Sequence, residues 1–362
     1  MKKTVLAVAA VLAAGAAGAA QRPNIVFVLA DDLGWTDLAC QGSKYYETPN
    51  IDRLAAQGLR FTHGYTCGPN CQPTRAALMS GQYGPRTGVY TVGGTGRFDT
   101  SMRPLVPVEN VTRLAPEVVT VAESLKKAGY ATALFGKWHL GEEPEHHPLA
   151  QGFDEAIATM GKHFKFNTTP KADVPPDVYL ADFLTDRAVD FIERKKAEPF
   201  FLYVTHFAVH SPHDAKPEKE AAFKDKPPAG GHHSPVYAGM IASVDESVGR
   251  IVATLDQLGL SSNTLVIFSS DNGGVGGYGR EGLKAGDITD NAPLRSGKGS
   301  LYEGGTRVPY IFRWPGTIAA GGTCAEPITS VDIHPTFAAL AGAKPPADVV
   351  LEIGRASCRE RV

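Results

Sequence analysis

Polar residues follow apolar runs at four places in this chain. Asp31 and Asp32 come directly after NIVFVLA (Asn24 to Ala30), and Lys137 and His139 come after YATALFG (Tyr130 to Gly136). His210 lies just beyond PFFLYVTH (Pro199 to His206), and Asp271 and Asn272 follow TLVIFSS (Thr264 to Ser270). Each run is short and β-branched or aromatic, and reads as a buried strand. In parallel α/β sheets ligands bind beyond the carboxyl ends of the strands, so these side chains are expected along one edge. Three carboxylates and an amide oxygen make a hard oxygen site suited to calcium or magnesium. Lysine, arginine and histidine beside it suit an anionic substrate. Taken singly, each group has a plainer reading as a cap, a turn or a solvated loop residue; the set taken together favours a site.

A second stretch, CGPNCQPTRAALMSG (Cys67 to Gly81), places a thiol before a helix-like run. Pro73 fits the first turn of that helix, which sets Cys71 just ahead of the helix N-terminus. The partial positive charge there lowers a thiol pKa or favours an anion. The structural alternative is a disulfide from Cys71 to Cys67, which the short loop permits only in strained geometry. Cys40 and Cys324 read as free or structural. His146, His147, His163, His206, His213, His232 and His233 read as surface or loop residues, with His213 nearest to a substrate role.

The elements that must position these groups alternate between strand and helix. TPNIDRLAAQG reads as a helix with Thr48 as cap, Pro49 at its first position and Gly58 at its stop. TVAESLKKAG carries a capping box, Thr120 with Glu123, and stops at Gly129. VYLADFLTDRAVDFIERKKA and the long SPVYAGMIASVDESVGRIVATLDQLG, capped at Ser234-Pro235, are amphipathic helices. The alternation predicts an α/β fold: a large, mostly parallel (mixed) sheet sandwiched between helices. The loops Gly93 to Pro116, Glu142 to Gln151 and His210 to Gly231 are long for plain connections and are expected to rim a site.

The 362 residues carry 43% hydrophobic and 20% charged side chains and a net charge of −2, as in ordinary globular proteins. No lysine or arginine stripe is present, which argues against nucleic acid as a partner. Residues 1–20 read as a bacterial-type secretory signal peptide, with two lysines, a short apolar run and a small-residue cleavage site. That predicts a periplasmic or secreted protein without a stable membrane anchor. Residues 353–362, IGRASCRERV, read as the translation of a sequencing adapter. On that reading the natural protein is expected to continue past Glu352.

Cys71-Gln72-Pro73-Thr74-Arg75 resembles the sulfatase signature, with Thr74 in place of the commoner serine. The resemblance extends through PNIVFVLADDLGW, GKWHLG, FFLYVTHFAVHSPH, TLVIFSSDNGG, LRSGKGSLYEGGTRVPYIFRWPG and SVDIHPTFAALAG, in matching order and spacing. The branch it looks like is that of arylsulfatase A and N-acetylgalactosamine-6-sulfatase, within the alkaline phosphatase superfamily. It implies a sulfuric-ester hydrolase acting on a sulfated carbohydrate or aryl sulfate ester. It further implies that residues 21–352 are a catalytic domain whose smaller C-terminal sub-domain is largely missing, with an apolar face expected to be left uncovered. It also implies that a formylglycine-generating enzyme oxidises Cys71 to formylglycine, with Pro73 and Arg75 as recognition residues. Asp31, Asp32, Asp271 and Asn272 are carried over as ligands of Ca2+ (or Mg2+), the modified Cys71 completing the sphere. Arg75 and Lys137 are implied to hold the hydrated aldehyde, Lys298 and His210 to contact sulfate, and His139 to take a proton as sulfate is expelled. The alternatives from the sequence are a phosphodiesterase or phosphonate monoester hydrolase of the same superfamily, and a non-catalytic anion- or glycan-binding homologue.

Overall fold

The computed structural model describes residues 22–95, 101, 104–284, 286–344 and 350–352. The expected signal peptide and adapter-derived tail lie outside the described residues. The strands are β1 (Asn24–Ala30), β2 (Leu59–Phe61), β3 (Gly64–Tyr65), β4 (Ala131–Gly136), β5 (Glu155–Ala158), β6 (Phe200–Thr205), β7 (Thr264–Ser270), β8 (Tyr310–Arg313), β9 (Gly322–Cys324) and β10 (Ile328–Thr329). The helices are α1 (Pro49–Ala56), α2 (Cys71–Ser80), α3 (Gly84–Thr87), α4 (Val121–Lys127), α5 (Leu180–Lys195), α6 (Pro217–Ala221), α7 (Pro235–Gln257), α8 (Glu303–Thr306) and α9 (Ile333–Ala341).

One sheet of eight strands runs in the order β5-β4-β6-β1-β7-β8-β2-β9. Its first five strands are mutually parallel, and β8 runs antiparallel to both neighbours. All seven residues of β1 are buried, because helices cover both faces. Val26 and Val28 pack toward Leu184, Phe191, Met240 and Ile251 of α5 and α7. Ile25, Phe27 and Leu29, pointing the other way, pack toward Leu78, Leu125 and Phe337 of α2, α4 and α9. The expected mixed, mostly parallel sandwich is therefore observed.

Register brings the strand ends together. Ala30 pairs with Ser270 across β1 and β7, so Asp31 and Asp271 emerge side by side. Gly136 pairs with Thr205 across β4 and β6, and Lys137 N–H continues the ladder onto the Thr205 carbonyl at 2.8 Å. The four strands whose ends carry polar residues are neighbours in the sheet, β4-β6-β1-β7.

Local signals hold at α4 and α7. The Thr120 hydroxyl accepts the Glu123 amide at 3.1 Å and the Glu123 carboxylate accepts the Thr120 amide at 2.7 Å. Ser234 Oγ accepts the Tyr237 amide. At α1 the cap differs from expectation. The Thr48 hydroxyl is used by the Ala39 amide and Asp52. The free amides of Asn50 and Ile51 are taken instead by Asp245 of α7, at 3.0 and 2.8 Å. Gly58 is not a left-handed stop either: a β-carbon there would sit 2.0 Å from the Phe312 carbonyl, so the residue serves close approach to β8.

The histidine reading also needs correction. His146, His147, His163, His206 and His232 are buried; His213 is half-buried and His233 exposed. They are buried because each finds a polar partner: His206 meets Ser247 Oγ at 3.0 Å and His163 meets the His210 carbonyl at 2.9 Å. Cys40, Cys67, Cys71 and Cys324 are all free thiols, so the Cys67–Cys71 disulfide is not formed. Among the described residues no helix is long and apolar enough to cross a membrane.

Burial holds the His206 imidazole down at about 4, against an ordinary 6.5, and does the same to His334. Between those values the unfolded chain binds protons that the folded chain refuses, so stability falls as pH drops from 6.5 toward 4. His206→Asn is expected to flatten the loss of Tm over that window. Parallel Tm–pH curves for variant and parent would contradict this assignment.

Candidate active site

Asp31, Asp32 and Asp271 have no exposed surface. Carboxylates at such depth persist as anions only beside compensating charge. Three cations supply it. Lys137 Nζ lies 2.5 Å from Asp31 Oδ2, and Lys298 Nζ lies 2.6 Å from Asp32 Oδ2. Arg75 sets its Nε 2.8 Å and its Nη2 2.7 Å from Asp271 Oδ2. Its Nη1 also reaches the Lys137 carbonyl at 2.6 Å and the Thr205 hydroxyl, so one guanidinium ties α2 to β4, β6 and β7.

The charges shift one another. Burial pushes Asp31 up, but Lys137, His210 and Arg75 more than offset it and hold this carboxyl below the usual range. Asp32 is lowered too, the charge of Lys298 and then His210 outweighing burial. Asp271 moves the other way, up to about 6, because burial and the adjacent Asp31 charge exceed what Arg75 returns. Burial disfavours charge on Lys298, yet Asp32 raises it well above the ordinary lysine value. His139 is depressed by burial and then by Lys137 and Arg75, which favour its neutral ring.

Cys71 is the first residue of α2, with Asn70 as N-cap, so it stands inside the helix and not ahead of it. Its Sγ lies 3.3 Å from Asp31 Oδ1 and 3.7 Å from Asp32 Oδ1. The expected lowering of its pKa is overturned. Burial, then Asp271 and Asp31, push the thiol well above its ordinary value, because desolvation and nearby full charges together outweigh a helix terminus. As a thiol, Cys71 is a protonated donor to carboxylate and a poor nucleophile.

The donor set fits a hard divalent cation. Ligand atoms of Asp31, Asp32, Cys71 and His210 lie within 4.8 Å of one another. Asn272 gives its Nδ2 to Asp32 Oδ1 at 2.8 Å, while its Oδ1 is buried without a partner. An orphaned amide oxygen beside three carboxylates matches the oxygen preference of calcium or magnesium. His210 Nε2, 3.6 Å from Asp32 Oδ2, is a nitrogen and suits an anion better than such an ion.

Above Cys71 opens a cavity of about 400 Å³, lined by Lys137, His139, Phe207, His210, Tyr278 and Lys298 among others. It shares Val92, His139 and Met160 with a wider cleft of about 780 Å³. Gly93, Thr112, Arg113, Glu142, Glu143 and His147 of the long loops line that cleft, as expected of rim segments. Asp31, Asp32, Cys71, Arg75, Lys137, His139, His210, Asp271, Asn272 and Lys298 thus lie together, through the contacts above or in the wall of this cavity. Asp32 and His139 both hold left-handed backbone (φ 63° and 62°), uncommon for residues with side chains. Sequence reasoning missed the polar residues beneath the site: Asp37, Tyr237, Thr289 and Asn291. No spacing singles them out, since they come from three distant segments.

A family model described as sulfatase matches residues 23–343. The chain belongs to the sulfatase family. It is 37% identical to a sulfatase of Formosa agariphila, over 92% of this chain and 71% of that protein. It is 36% identical to mouse N-acetylgalactosamine-6-sulfatase, over 93% of this chain and 66% of that one. It thus spans roughly two thirds of the length of these relatives. Among solved structures, Ps i-CgsB superposes with a TM-score of 0.78 at 35% identity, covering 92% of this chain and 74% of that one. Phosphonate monoester hydrolase of Agrobacterium radiobacter, at 22% identity and a TM-score of 0.66, shares the fold.

In this sulfatase-family site, Arg75→Ala leaves Asp271 and Asp31 buried without their guanidinium partner. In calcium-free buffer it is expected to cost about 3–5 kcal/mol of stability, read by urea unfolding. Arg75→Lys should recover only part of that, because lysine cannot span Asp271, the Lys137 carbonyl and Thr205 at once. A loss under 1 kcal/mol in Arg75→Ala would refute the balance described here.

Proposed function

We propose that this chain is a sulfuric-ester hydrolase acting on sulfated carbohydrates, with Cys71 carried as formylglycine and a calcium ion held by Asp31, Asp32, Asp271 and Asn272. One observation carries this reading: three buried carboxylates meet three buried cations around Cys71. Their charges cancel, so a divalent cation turns the pocket positive and makes it a receptor for an ester sulfate anion. Hydrated formylglycine would supply the oxygen that bonds to sulfur as the S–O bond to the alcohol breaks; loss of the proton from its second hydroxyl would then re-form the aldehyde carbonyl and break the C–O bond to sulfate. A bound cation would supply positive charge that acidifies the attacking hydroxyl.

The chain's own residues do the rest. Lys137 and Arg75 hold residue 71 against the carboxylates. Lys298 and His210 line the cavity on the side open to substrate, where they bind sulfuryl oxygens and can protonate the departing alcohol. His139, neutral and in the cavity wall, takes the proton whose removal ends the cycle. The carbohydrate reading draws on the relatives: one is named N-acetylgalactosamine-6-sulfatase, and Ps i-CgsB has been solved with k-i-k-neocarrahexaose. The export reading rests on residues 1–20.

The test begins with co-expression with a formylglycine-generating enzyme and mass spectrometry of the Cys71 peptide, where conversion of thiol to aldehyde is expected. Sulfate release is then measured on sulfated oligosaccharides and on an aryl sulfate, beside the matching phosphate ester. Sulfate esters are expected to turn over faster; a preference for phosphate would overturn the assignment. Cys71→Ala should abolish turnover, and His139→Ala or Lys298→Ala should each lower kcat by about 10²–10⁴-fold.

A further inference from the structure

Asp37 is fully buried six residues after Asp31 and touches neither Cys71 nor any carboxylate of the site. Its oxygens are nevertheless heavily used. Oδ2 accepts the Gly34 amide at 2.7 Å and the Tyr237 hydroxyl at 2.7 Å. Oδ1 accepts the Thr289 hydroxyl at 2.6 Å, with His232 Nε2 at 3.6 Å. No lysine or arginine pairs with it among the described residues. Such an arrangement is costly unless every donor stays in place.

Those partners lead to both ligand-bearing loops. The Tyr237 hydroxyl that meets Asp37 also lies 3.1 Å from the Asp32 carbonyl, where the backbone is left-handed. Gly34 ends the turn that carries Asp31 and Asp32. On the other side, Thr289 is two residues from Asn291. The Asn291 side chain accepts the Gly274 amide at 3.2 Å and donates to the Gly274 carbonyl at 3.0 Å, two residues beyond Asn272. The same Gly274 carbonyl takes the Lys298 amide at 2.9 Å. The two segments approach closely: a β-carbon on Gly34 would lie 2.6 Å from Asn291 Oδ1.

We infer that Asp37, acting through Tyr237 and Thr289, is the positioning residue that locks the Asp31–Asp32 loop to the Asp271–Asn272 loop and so sets the cation affinity of the site. The inference rests on the calcium reading above. Outer groups that orient ligands in this way typically change metal affinity by about 10–100-fold when removed.

The test is calorimetric titration of Ca2+ into the full chain with Cys71 unmodified, well below the unfolding midpoint recorded in EGTA. Asp37→Asn keeps the volume but turns one acceptor into a donor facing donors. Its half-saturating Ca2+ is expected to rise about tenfold or more. Tyr237→Phe should shift it in the same direction by less, and the double variant should be no weaker than Asp37→Asn alone, since both act through one contact. A merely structural role would lower the midpoint in EGTA and leave Ca2+ affinity within twofold of the parent, which overturns the inference. If Asp37→Asn does not fold, Tyr237→Phe decides by the same criterion. Absence of Ca2+ binding by the parent overturns the calcium reading and this inference together; binding by the parent that the variants share overturns this inference alone.

Discussion

The structure depends on concentrating three carboxylates where water cannot reach them. Asp31, Asp32 and Asp271 repel one another, and burial removes the solvent that would screen them. Everything around them answers that constraint. Lys137 arrives from the end of β4, Arg75 from α2 and Lys298 from a loop before α8; each lysine pairs with one carboxylate, and Arg75 lies within ion-pair distance of both Asp271 and Asp31. The lowered Asp31 and the raised Asp271 are two outcomes of the same crowding: Lys137, His210 and Arg75 together outweigh burial at Asp31, whereas burial and the Asp31 charge outweigh Arg75 at Asp271.

The sheet makes this possible because parallel neighbours finish at one level. β4, β6, β1 and β7 are adjacent, and their register sets Asp31 beside Asp271 and Lys137 beside the end of β6. Helices cover both faces of the sheet behind the site, and the cavity lined by Cys71 opens at the strand ends. The thiol gains nothing from its place at a helix start. Burial and the charges of Asp271 and Asp31 favour its protonated form, which as a thiol is a poor nucleophile.

Much of this was legible along the chain. Strands β1, β4, β6 and β7 were readable because a strand buried on both faces is a continuous apolar run, which local composition reveals. The residues after them were readable because α/β sheets place ligands at carboxyl ends. The helix cap at Thr120 was readable because both partners lie within one turn. The cap of α1 was not, since Asp245 comes from a helix nearly two hundred residues away. The buried histidines were misread for the same reason: a lone histidine in sequence carries no sign of the serine or carbonyl that will satisfy it.

The order of residue types therefore determined the alternation of elements, the edge on which the chemistry lies and the identity of the groups that meet there. Tertiary structure alone decided which cation pairs with which carboxylate, which way each pKa moves, and how Asp37, Tyr237, Thr289 and Asn291 brace the site from beneath. Local pattern encodes contacts within a few residues. Electrostatic and hydrogen-bond partnerships depend on distance in space, and at this site those distances join segments far apart in the chain.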